Sequence, residues 1–240
     1  MYMKAENIKT VVVFGVGNIG QGIAQSFAQA GLSVRIVDLN TELLDRCLAQ
    51  VEANLRLFHE FGLLEEDISR IKSRIHPFLT KEQAKAVQDC DFVVEAITEN
   101  LELKRQLFAQ LDSCPEEVIL STNTSSFTVS AIAEGCRTAS RIVGLHYFNP
   151  AYIMPLVEIH SGPQTTDEVI ATTKALMLRV GKKPIIVRKE IPGLIINRIQ
   201  AAMIREIFYL VDEGVASPED IDMAYKASVG IRYACIGHFE

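Results

Sequence analysis

A glycine-rich turn between a predicted strand and a predicted helix most constrains how this chain can fold. Residues 9–14 form a β-branched run that leads into a GxGxxG sequence at residues 15–20, and apolar positions then recur at helical spacing until Gly31. Residues 32–37 form a second predicted strand, which ends at Asp38. A strand, a tight turn, a helix and a second strand of this length predict a βαβ unit, the first half of a Rossmann-type sheet.

The GxGxxG turn has the features of a dinucleotide-binding site. Gly15 permits a tight turn, Gly17 lets the backbone approach a pyrophosphate, and Gly20 allows close helix packing. The helix N-terminus attracts phosphate charge. A tight βα turn without a ligand is the alternative, but an acidic residue 18 positions after Gly20 favours the binding site. The predicted cofactor-binding residues here are Gly15, Val16, Gly17, Asn18, Ile19, Gly20 and Asp38.

Asp38 also predicts which dinucleotide binds. Its carboxylate would accept hydrogen bonds from an adenosine ribose and would repel the 2′-phosphate of NADP. Leu39 and Asn40 supply no cation, and Arg35 is the cation nearest to Asp38 in the sequence. We therefore expect NAD as the cofactor.

Helices and strands alternate beyond this unit. Residues 44–75 carry apolar residues at helical spacing and predict a helical hairpin inserted into the alternation. A helix at residues 80–88 follows, beginning with a Thr80-x-x-Gln83 capping box. Further strands are predicted at 92–97, 118–120, 141–146, 156–160 and 184–188, with helices at 101–112 and 166–180. This order predicts an α/β fold with a doubly wound, mostly parallel sheet.

The pattern changes towards the C-terminal end. Residues 194–215 form one long apolar helix, and Ser217 followed by Pro218 begins another, which we extend to Ala227. We predict a domain boundary near residues 190–192. Residues 1–190 would form the dinucleotide-binding domain, and residues 191–240 would begin a smaller, all-helical domain.

Charge and cysteine spacing exclude several classes of function. The net charge of −6 provides no basic field that would attract nucleic acid. The five cysteines are scattered and form no CxxC pair or Cys/His cluster with zinc spacing, so we expect reduced thiols and no metal site. The N-terminal apolar run is too short for a signal sequence or a membrane span. We expect a cytoplasmic protein with neither membrane nor nucleic-acid partners.

Five segments resemble the signature blocks of the 3-hydroxyacyl-CoA dehydrogenase family in order and spacing. They are DFVVEAITEN at residues 91–100, STNTSS at 121–126, HYFNP at 146–150, LVE at 156–158 and PGLIINR at 192–198. The resemblance runs from about residue 11 to about residue 222. It implies an enzyme that uses NAD to oxidise the 3-hydroxyl of a 3-hydroxyacyl-CoA to the 3-oxoacyl-CoA.

His146 and Glu158 are the candidate acid–base pair. Alcohol oxidation needs a base that takes the hydroxyl proton while hydride leaves carbon, and histidine suits this task near neutral pH. His146 lies at the predicted C-terminal end of a strand, where open α/β sheets bind ligands, and Glu158 on the next strand could orient its imidazole. From position alone, a hydrogen-bonded structural histidine is an equal alternative. The family resemblance favours the catalytic pair.

Five further residues have predicted roles, four of them implied by the resemblance. Ser125 matches a family residue that contacts the reacting oxygen and the nicotinamide. Asn197 lies at the start of the long predicted helix of the second domain and could reach the reacting oxygen, so both residues join the predicted catalytic set. Glu99 and Lys104 match residues that flank the nicotinamide ribose, and Asn149 matches a further nicotinamide contact. The structural alternatives are a turn hydroxyl for Ser125, a helix-terminal hydrogen bond for Asn197 and a solvated ion pair for Glu99 and Lys104.

Two departures from the family pattern leave the substrate open. Met154 is followed by Pro155 where acyl-CoA members usually carry lysine, and the sequence GHFE at 237–240 stands where Gly-Pro-Phe-Glu is usual. Pro155 and Arg232 are more typical of relatives that oxidise free hydroxy acids, such as gulonate or carnitine dehydrogenases, and Arg232 would then pair with a carboxylate. A non-catalytic NAD-binding protein, comparable to the lens crystallins of this family, is a third alternative.

The resemblance also implies an assembly. The family's helical second domain is longer than the segment after residue 190, so we expect that domain to be truncated in this sequence. Residues 194–215 carry apolar positions on more than one side, too many for the following helix to cover. We therefore expect a homodimer through the C-terminal helical region.

Overall fold

An eight-stranded sheet forms the centre of the larger part of the chain in the computed structural model, which describes residues 2–240. Its spatial order is β3-β2-β1-β4-β5-β6-β7-β8. Only β6 and β7 pair antiparallel among these strands. The predicted α/β fold with a mostly parallel sheet is confirmed. The strands are β1 (Thr10–Phe14), β2 (Ser33–Asp38), β3 (Ile75–Leu79), β4 (Phe92–Glu95), β5 (Ile119–Thr122), β6 (Ile142–Tyr147), β7 (Leu156–Ser161) and β8 (Lys183–Val187).

Helices connect the strands, and polar side chains determine where several of them begin. Asn40 and Asn100 each accept a hydrogen bond from the backbone N–H three residues ahead, and Thr166 does the same, so each satisfies an otherwise unpaired donor. The helices among the strands are α1 (Asn18–Gln29), α2 (Thr41–Glu60), α3 (Ile68–Lys72), α4 (Gln83–Ala86), α5 (Leu101–Leu111), α6 (Val129–Ile132) and α7 (Asp167–Arg179).

Two apolar clusters form the core, because alternate residues of each strand point to opposite faces of the sheet. Val11 and Val13 of β1 pack on one face with Phe27 of α1. Val12 packs on the other face with Phe108 of α5. Both faces are covered, as a parallel sheet requires.

The segment between α2 and α4 differs from its prediction. Ile75 was expected to continue the helical hairpin, but the second helix of the hairpin, α3, ends at Lys72, and Ile75 begins strand β3. This strand lies at the edge of the sheet, where Pro77 is tolerated because it need not donate to a further strand. The expected helix at 80–88 is a 3-10 turn, Thr80–Glu82, followed by the single turn of α4. Glu82, rather than Gln83, accepts the hydrogen bond from the Leu79 N–H.

The chain divides into two compact units after Leu194. The second unit contains α8 (Ile196–Asp212), α9 (Pro218–Ala224) and α10 (Ile231–Cys235), with a π-helical turn at Tyr225–Gly230. The helix predicted to extend to Ala227 therefore changes its hydrogen-bond pattern after Ala224. None of the described helices is long and apolar enough to cross a membrane.

Candidate active site

The turn between β1 and α1 needs glycine for two steric reasons. Gly15 has a φ of +85°, and a Cβ there would lie 2.5 Å from the Ala96 carbonyl oxygen. A Cβ on Gly20 would lie 1.8 Å from the Gly15 oxygen. Gly17 differs, since no heavy atom lies within 4 Å of a Cβ built there. The first and third glycines let the turn pack tightly, and Gly17 leaves open space beside the N-terminus of α1, where a pyrophosphate fits.

A cavity of about 700 Å³ opens beside this turn at the carboxyl ends of β1, β2, β4 and β5. Gly15, Gly17, Asn18, Ile19 and Asp38 line it, as does Ser125 from the loop after β5. Val16 and Gly20, also predicted as cofactor-binding residues, do not line the cavity. The Val16 side chain is buried, and Gly20 packs on Gly15.

Asp38 stands at the edge of this cavity. Its Oδ2 accepts a hydrogen bond of 2.8 Å from the Val16 N–H, and its Oδ1 accepts one of 2.7 Å from the Leu39 N–H. Arg35 is directed elsewhere, because its guanidinium donates to the Ala86 and Gln88 carbonyl oxygens. Among the described residues that line the cavity, none is lysine or arginine. The site therefore fits a dinucleotide without a 2′-phosphate.

Sequence reasoning missed one wall of the cavity. Six residues from the 3-10 turn and helices α4 and α5 line it, and a 2.7 Å hydrogen bond from Gln83 Nε2 to Gln110 Oε1 joins two of them. No motif marks this wall, because it exists only where α4 and α5 lie side by side. A glutamine at the start of α4 and two on one side of α5 are the only signal in the sequence. The six residues are Thr80, Gln83, Leu103, Gln106, Leu107 and Gln110.

Glu99 and Lys104 form an ion pair, but only Glu99 lines the cavity. Glu99 lines the cavity, whereas the Lys104 side chain is 1% exposed and its ammonium lies between two carboxylates, 2.5 Å from Glu95 and 3.2 Å from Glu99. Burial alone would raise the pKa of Glu99, but the Thr124 hydrogen bond and the charge of Lys104 outweigh it and hold that pKa below its usual value. Burial raises the pKa of Glu95, and Lys104 opposes that shift. The solvated ion pair considered as an alternative is thus not what the structure contains.

His146 and Glu158 occupy directly opposed positions on the antiparallel strands β6 and β7. His146 Nδ1 and Glu158 Oε2 are 2.8 Å apart, and both residues are buried. A carboxylate can only accept a hydrogen bond, so Nδ1 of His146 is the donor in this contact, and a neutral ring in this tautomer would present the lone pair of Nε2. Phe148 packs against the imidazole edge, with ring centroids 4.6 Å apart.

A second buried histidine, His160, lies on β7 close to this pair, and it was not predicted from the sequence. His160 is two residues after Glu158, and its ring covers Gly144, where a Cβ would meet its Nε2 at 2.0 Å. Among the described residues, Nε2 of His160 has no hydrogen-bond partner. Burial lowers the pKa of His160 to about 4. Its ring is therefore uncharged near neutral pH.

The remaining predicted residues lie in three places. The Ser125 N–H donates to Glu99 Oε1 at 3.2 Å, so the serine loop is tied to the cavity wall. Asn149 is exposed in the loop after β6. Asn197 lies in the first turn of α8, in the second unit. Among the described residues, no cluster of three or more His, Cys, Asp or Glu side chains could hold a metal ion.

The sheet order, the glycine turn and Asp38 define the class as dinucleotide-binding α/β proteins. A family model for the NAD-binding domain of 3-hydroxyacyl-CoA dehydrogenase matches residues 10–191, and a model for the C-terminal domain of that enzyme matches residues 193–240. The chain therefore belongs to the 3-hydroxyacyl-CoA dehydrogenase family and is an NAD-dependent oxidoreductase of that type. The resemblance noted in the sequence is confirmed.

Similar proteins include both a lens crystallin homolog and 3-hydroxybutyryl-CoA dehydrogenases. A lambda-crystallin homolog from Homo sapiens is 35% identical over 96% of this chain and 72% of its own length. A probable 3-hydroxybutyryl-CoA dehydrogenase from Bacillus subtilis is 37% identical over 91% of this chain and 76% of its own length. The solved (S)-3-hydroxybutyryl-CoA dehydrogenase from Ralstonia eutropha is 38% identical, with a TM-score of 0.85 over 93% of this chain and 78% of that one. The chain spans 46% of a solved Escherichia coli 3-hydroxybutyryl-CoA dehydrogenase.

Proposed function

We propose that this protein oxidises the 3-hydroxyl of a 3-hydroxyacyl-CoA to the 3-oxoacyl-CoA, with NAD as hydride acceptor. The observation that carries the proposal is the 2.8 Å contact between His146 Nδ1 and Glu158 Oε2 at the end of β6. This contact orients the imidazole so that, in the neutral ring with the proton on Nδ1, Nε2 carries the lone pair. The NAD, when bound, supplies the nicotinamide carbon that accepts hydride.

The residues of the pair divide the proton chemistry between them. His146 Nε2 takes the hydroxyl proton as the hydride leaves, and the imidazole becomes positively charged. Glu158, which is fully buried, stabilises that charge through the hydrogen bond to Nδ1. In the reverse direction the same imidazolium returns the proton to the ketone oxygen. Ser125 and Asn197 are proposed contacts of that oxygen, on the family resemblance.

The lining of the cavity supports a placement for each part of NAD. We assign the pyrophosphate to Gly17 and the N-terminus of α1, the adenosine ribose to Asp38, and the adenine to the wall between α4 and α5. The nicotinamide end would then lie near Glu99 and Ser125, with Asn149 as a further contact. Lys104 was expected beside the nicotinamide ribose, and its burial favours an indirect role.

A free hydroxy acid is the second candidate substrate. Pro155 follows Met154 where the acyl-CoA members usually carry lysine. A solved structure of FHMPC 5-dehydrogenase, an NAD⁺-dependent dismutase of a pyridine carboxylic acid, is 27% identical with a TM-score of 0.87 over 97% of this chain. Arg232, exposed in α10, would supply the cation for a carboxylate.

Substrate oxidation by NAD⁺, followed by absorbance, tests the proposal and separates its candidates. We expect turnover with 3-hydroxybutyryl-CoA and at least tenfold lower kcat/KM, about 1.4 kcal/mol, with free 3-hydroxybutyrate, L-gulonate or carnitine. The reverse preference would assign the free acid. NADH binding without turnover of any of these would favour the non-catalytic alternative, although a His–Glu pair argues against it.

We also propose a homodimer and a cytoplasmic location. The dimer is supported by the apolar side chains that α8 exposes, including Ile199, Ile204 and Phe208. The cytoplasmic location is supported by the cysteines, all five of which are free thiols in the structure.

A further inference from the structure

A second cavity, of about 320 Å³, lies in the first unit and shares no lining residue with the NAD cavity. Its walls come from the C-terminal ends of α1 and α2, the loop between β6 and β7, and the turn between α7 and β8. Small-molecule sites in proteins begin at about this size. The cavity therefore has room for a small ligand.

The lining of this cavity carries two cations and no acid. Arg179 and Lys182 line it, and none of its described lining residues is aspartate or glutamate. Neither cation forms an ion pair with a described carboxylate, although the chain has 30 acidic and only 24 basic residues. Lys182 is 7% exposed, and a buried charge normally has a partner of opposite sign. A concave site lined by one sign of charge attracts an anion.

Both cations keep hydrogen-bond donors for a ligand. Lys182 Nζ gives two of its three N–H bonds to the Ala151 and Met154 oxygens, and one remains. Arg179 Nη1 donates to two backbone oxygens near the N-terminus, whereas its Nε and Nη2 have no partner among the described residues. Nε and Nη2 form a planar pair of donors that matches the two oxygens of a carboxylate.

Aromatic and aliphatic side chains form much of the remaining wall. The rings of Phe58 from α2 and Tyr152 from the loop after β6 lie with their centroids 5.9 Å apart. Ile153 and Val180 line the same cavity, and Ile153 is 56% exposed. An apolar part of a ligand that covers these side chains would remove them from water, which is favourable.

We propose that this cavity binds a small organic carboxylate with an apolar tail. The carboxylate would lie on Arg179 and Lys182, and the tail would pack on the Phe58–Tyr152 pair. A neutral molecule would leave the two cations without a counter-ion, and an inorganic anion would leave the aromatic pair uncovered.

Gln29→Glu is the variant that tests this site with the least disturbance of the fold. Gln29 Oε1 lies at the end of α1 and accepts a 3.2 Å hydrogen bond from Gln25 Nε2, and glutamate keeps that acceptor while it adds a negative charge to the lining. The new carboxylate would repel an anionic ligand and compete for its cations. Gln88→Glu is the matched control, because it makes the same change in charge at an exposed position outside the cavity. Arg179→Gln, which removes one of the two cations, is the second variant.

Isothermal titration calorimetry at pH 7 and constant ionic strength compares hexanoate with its neutral analogue hexanamide and with inorganic phosphate. Lys182 is mostly charged at this pH, because burial lowers its pKa only to about 8. We expect one hexanoate per chain, bound about tenfold more tightly than hexanamide or phosphate and unaffected by saturating NADH. Gln29→Glu and Arg179→Gln should each weaken hexanoate binding by about tenfold, and Gln88→Glu should not change it.

Each contrary result has a distinct meaning. Equal affinity for hexanoate and hexanamide, displacement of hexanoate by NADH, or wild-type hexanoate affinity in Gln29→Glu would overturn the proposed site. Phosphate binding as tight as that of hexanoate would overturn the apolar tail as part of the ligand. Failure of the wild type to bind NADH would overturn the proposed function and leave this site standing, because the two cavities share no lining residue.

Discussion

Asp38 is the residue that we expect to discriminate between NAD and NADP. One of its oxygens accepts from the Val16 N–H of the glycine turn and the other from the neighbouring Leu39 N–H, and these two bonds hold the carboxylate at the edge of the cavity. A 2′-phosphate placed there would meet this negative charge. The nearby cation, Arg35, is bound to two carbonyl oxygens and cannot neutralise it.

We therefore predict that Asp38→Ala weakens NADH binding and reduces the preference for NADH over NADPH, since both hydrogen-bond acceptance and repulsion are lost. Fluorescence titration with the two reduced cofactors measures this. Asp45→Ala, at an exposed position of α2, is the control and should change neither affinity. Tighter binding of NADPH than NADH by the wild type would contradict the assignment.

His160 predicts how stability depends on pH. Its folded-state pKa of about 4 lies below the usual 6.5, so the unfolded chain takes up a proton first as the pH falls. Stability is therefore lost between pH 6.5 and 4, by up to about 3 kcal/mol. His160→Leu should remove this part of the acid destabilisation, because its Nε2 has no described partner to lose.

Urea unfolding at several pH values between 4 and 7 measures the effect, with the range set by the usual titration of histidine, about 6.5. His76→Leu, on the exposed side of β3, is the matched control and should leave the pH dependence unchanged. If the free energy of unfolding of His160→Leu depends on pH as steeply as that of the wild type, the prediction is contradicted. The pKa of His160 would then be the same in the folded and unfolded chains.

The sequence identified the residues that the backbone pattern marks and missed those that only packing brings together. Gly15, Gly17 and Asp38 follow a strand–turn–helix pattern whose geometry is local, so they could be placed in advance. Glu95 lies inside a predicted strand, where its carboxylate gives no sign that a helix six residues later brings Lys104 to it. The catalytic roles of His146 and Glu158 stay a prediction, although the structure places the two side chains in contact.

A buried lysine just before β8 holds the loop that follows β6. Lys182 donates to the Ala151 oxygen at 2.5 Å and the Met154 oxygen at 3.2 Å, and its ammonium lies 5.9 Å from the centre of the Tyr147 ring. Burial lowers the pKa of Lys182 to about 8. The lysine thus fixes the segment that carries Asn149.

Lys182→Met should lower the free energy of unfolding by about 1–3 kcal/mol, because two backbone oxygens lose a charged donor while the methionine keeps the packing. Chemical denaturation measures this loss. Lys183→Met changes the exposed neighbouring lysine and should cost less than about 0.5 kcal/mol. Equal stability of the two variants would mean that the carbonyl contacts contribute nothing.

Helices and strands were predicted best where the apolar residues follow a single helical or strand spacing. Strands β1, β4 and β6 are short apolar runs between turns, and α2 and α7 carry clear helical spacing, so their existence followed from the sequence. Strand β3 is not predicted, and its first residue, Ile75, is assigned to a helix because Ile68, Ile71 and Ile75 continue a helical spacing by coincidence. Its pairing with β2 is a tertiary contact that no local pattern records.

The proposed assembly depends on the second unit. Its long helix, α8, has a half-buried stripe at Met203, Ile207 and Leu210, but Ile204 and Phe208 are 49% and 63% exposed. Two apolar sides on one helix exceed what a solvated surface helix carries. The exposed side is the proposed interface with a second copy of the chain.

Sedimentation velocity over a range of protein concentrations tests this assembly. We expect a dimer that Ile204→Glu/Phe208→Glu shifts to monomer, because burying two carboxylates against apolar surface is unfavourable. Leu57→Glu alters an equally exposed apolar residue of α2 and should leave the dimer intact. A wild-type protein that stays monomeric at high concentration would rule out the interface.

The turnover of His146→Gln tests whether His146 is the base of the proposed reaction. We predict that kcat falls by about 10²–10⁴-fold while NADH affinity is unchanged, because the substitution removes the proton acceptor without touching the cavity that holds the cofactor. Glu158→Gln should act in the same direction, and the double variant should lose less than the product of the two effects, since both residues serve one proton transfer. Near-normal turnover by His146→Gln with wild-type NADH affinity would contradict the account.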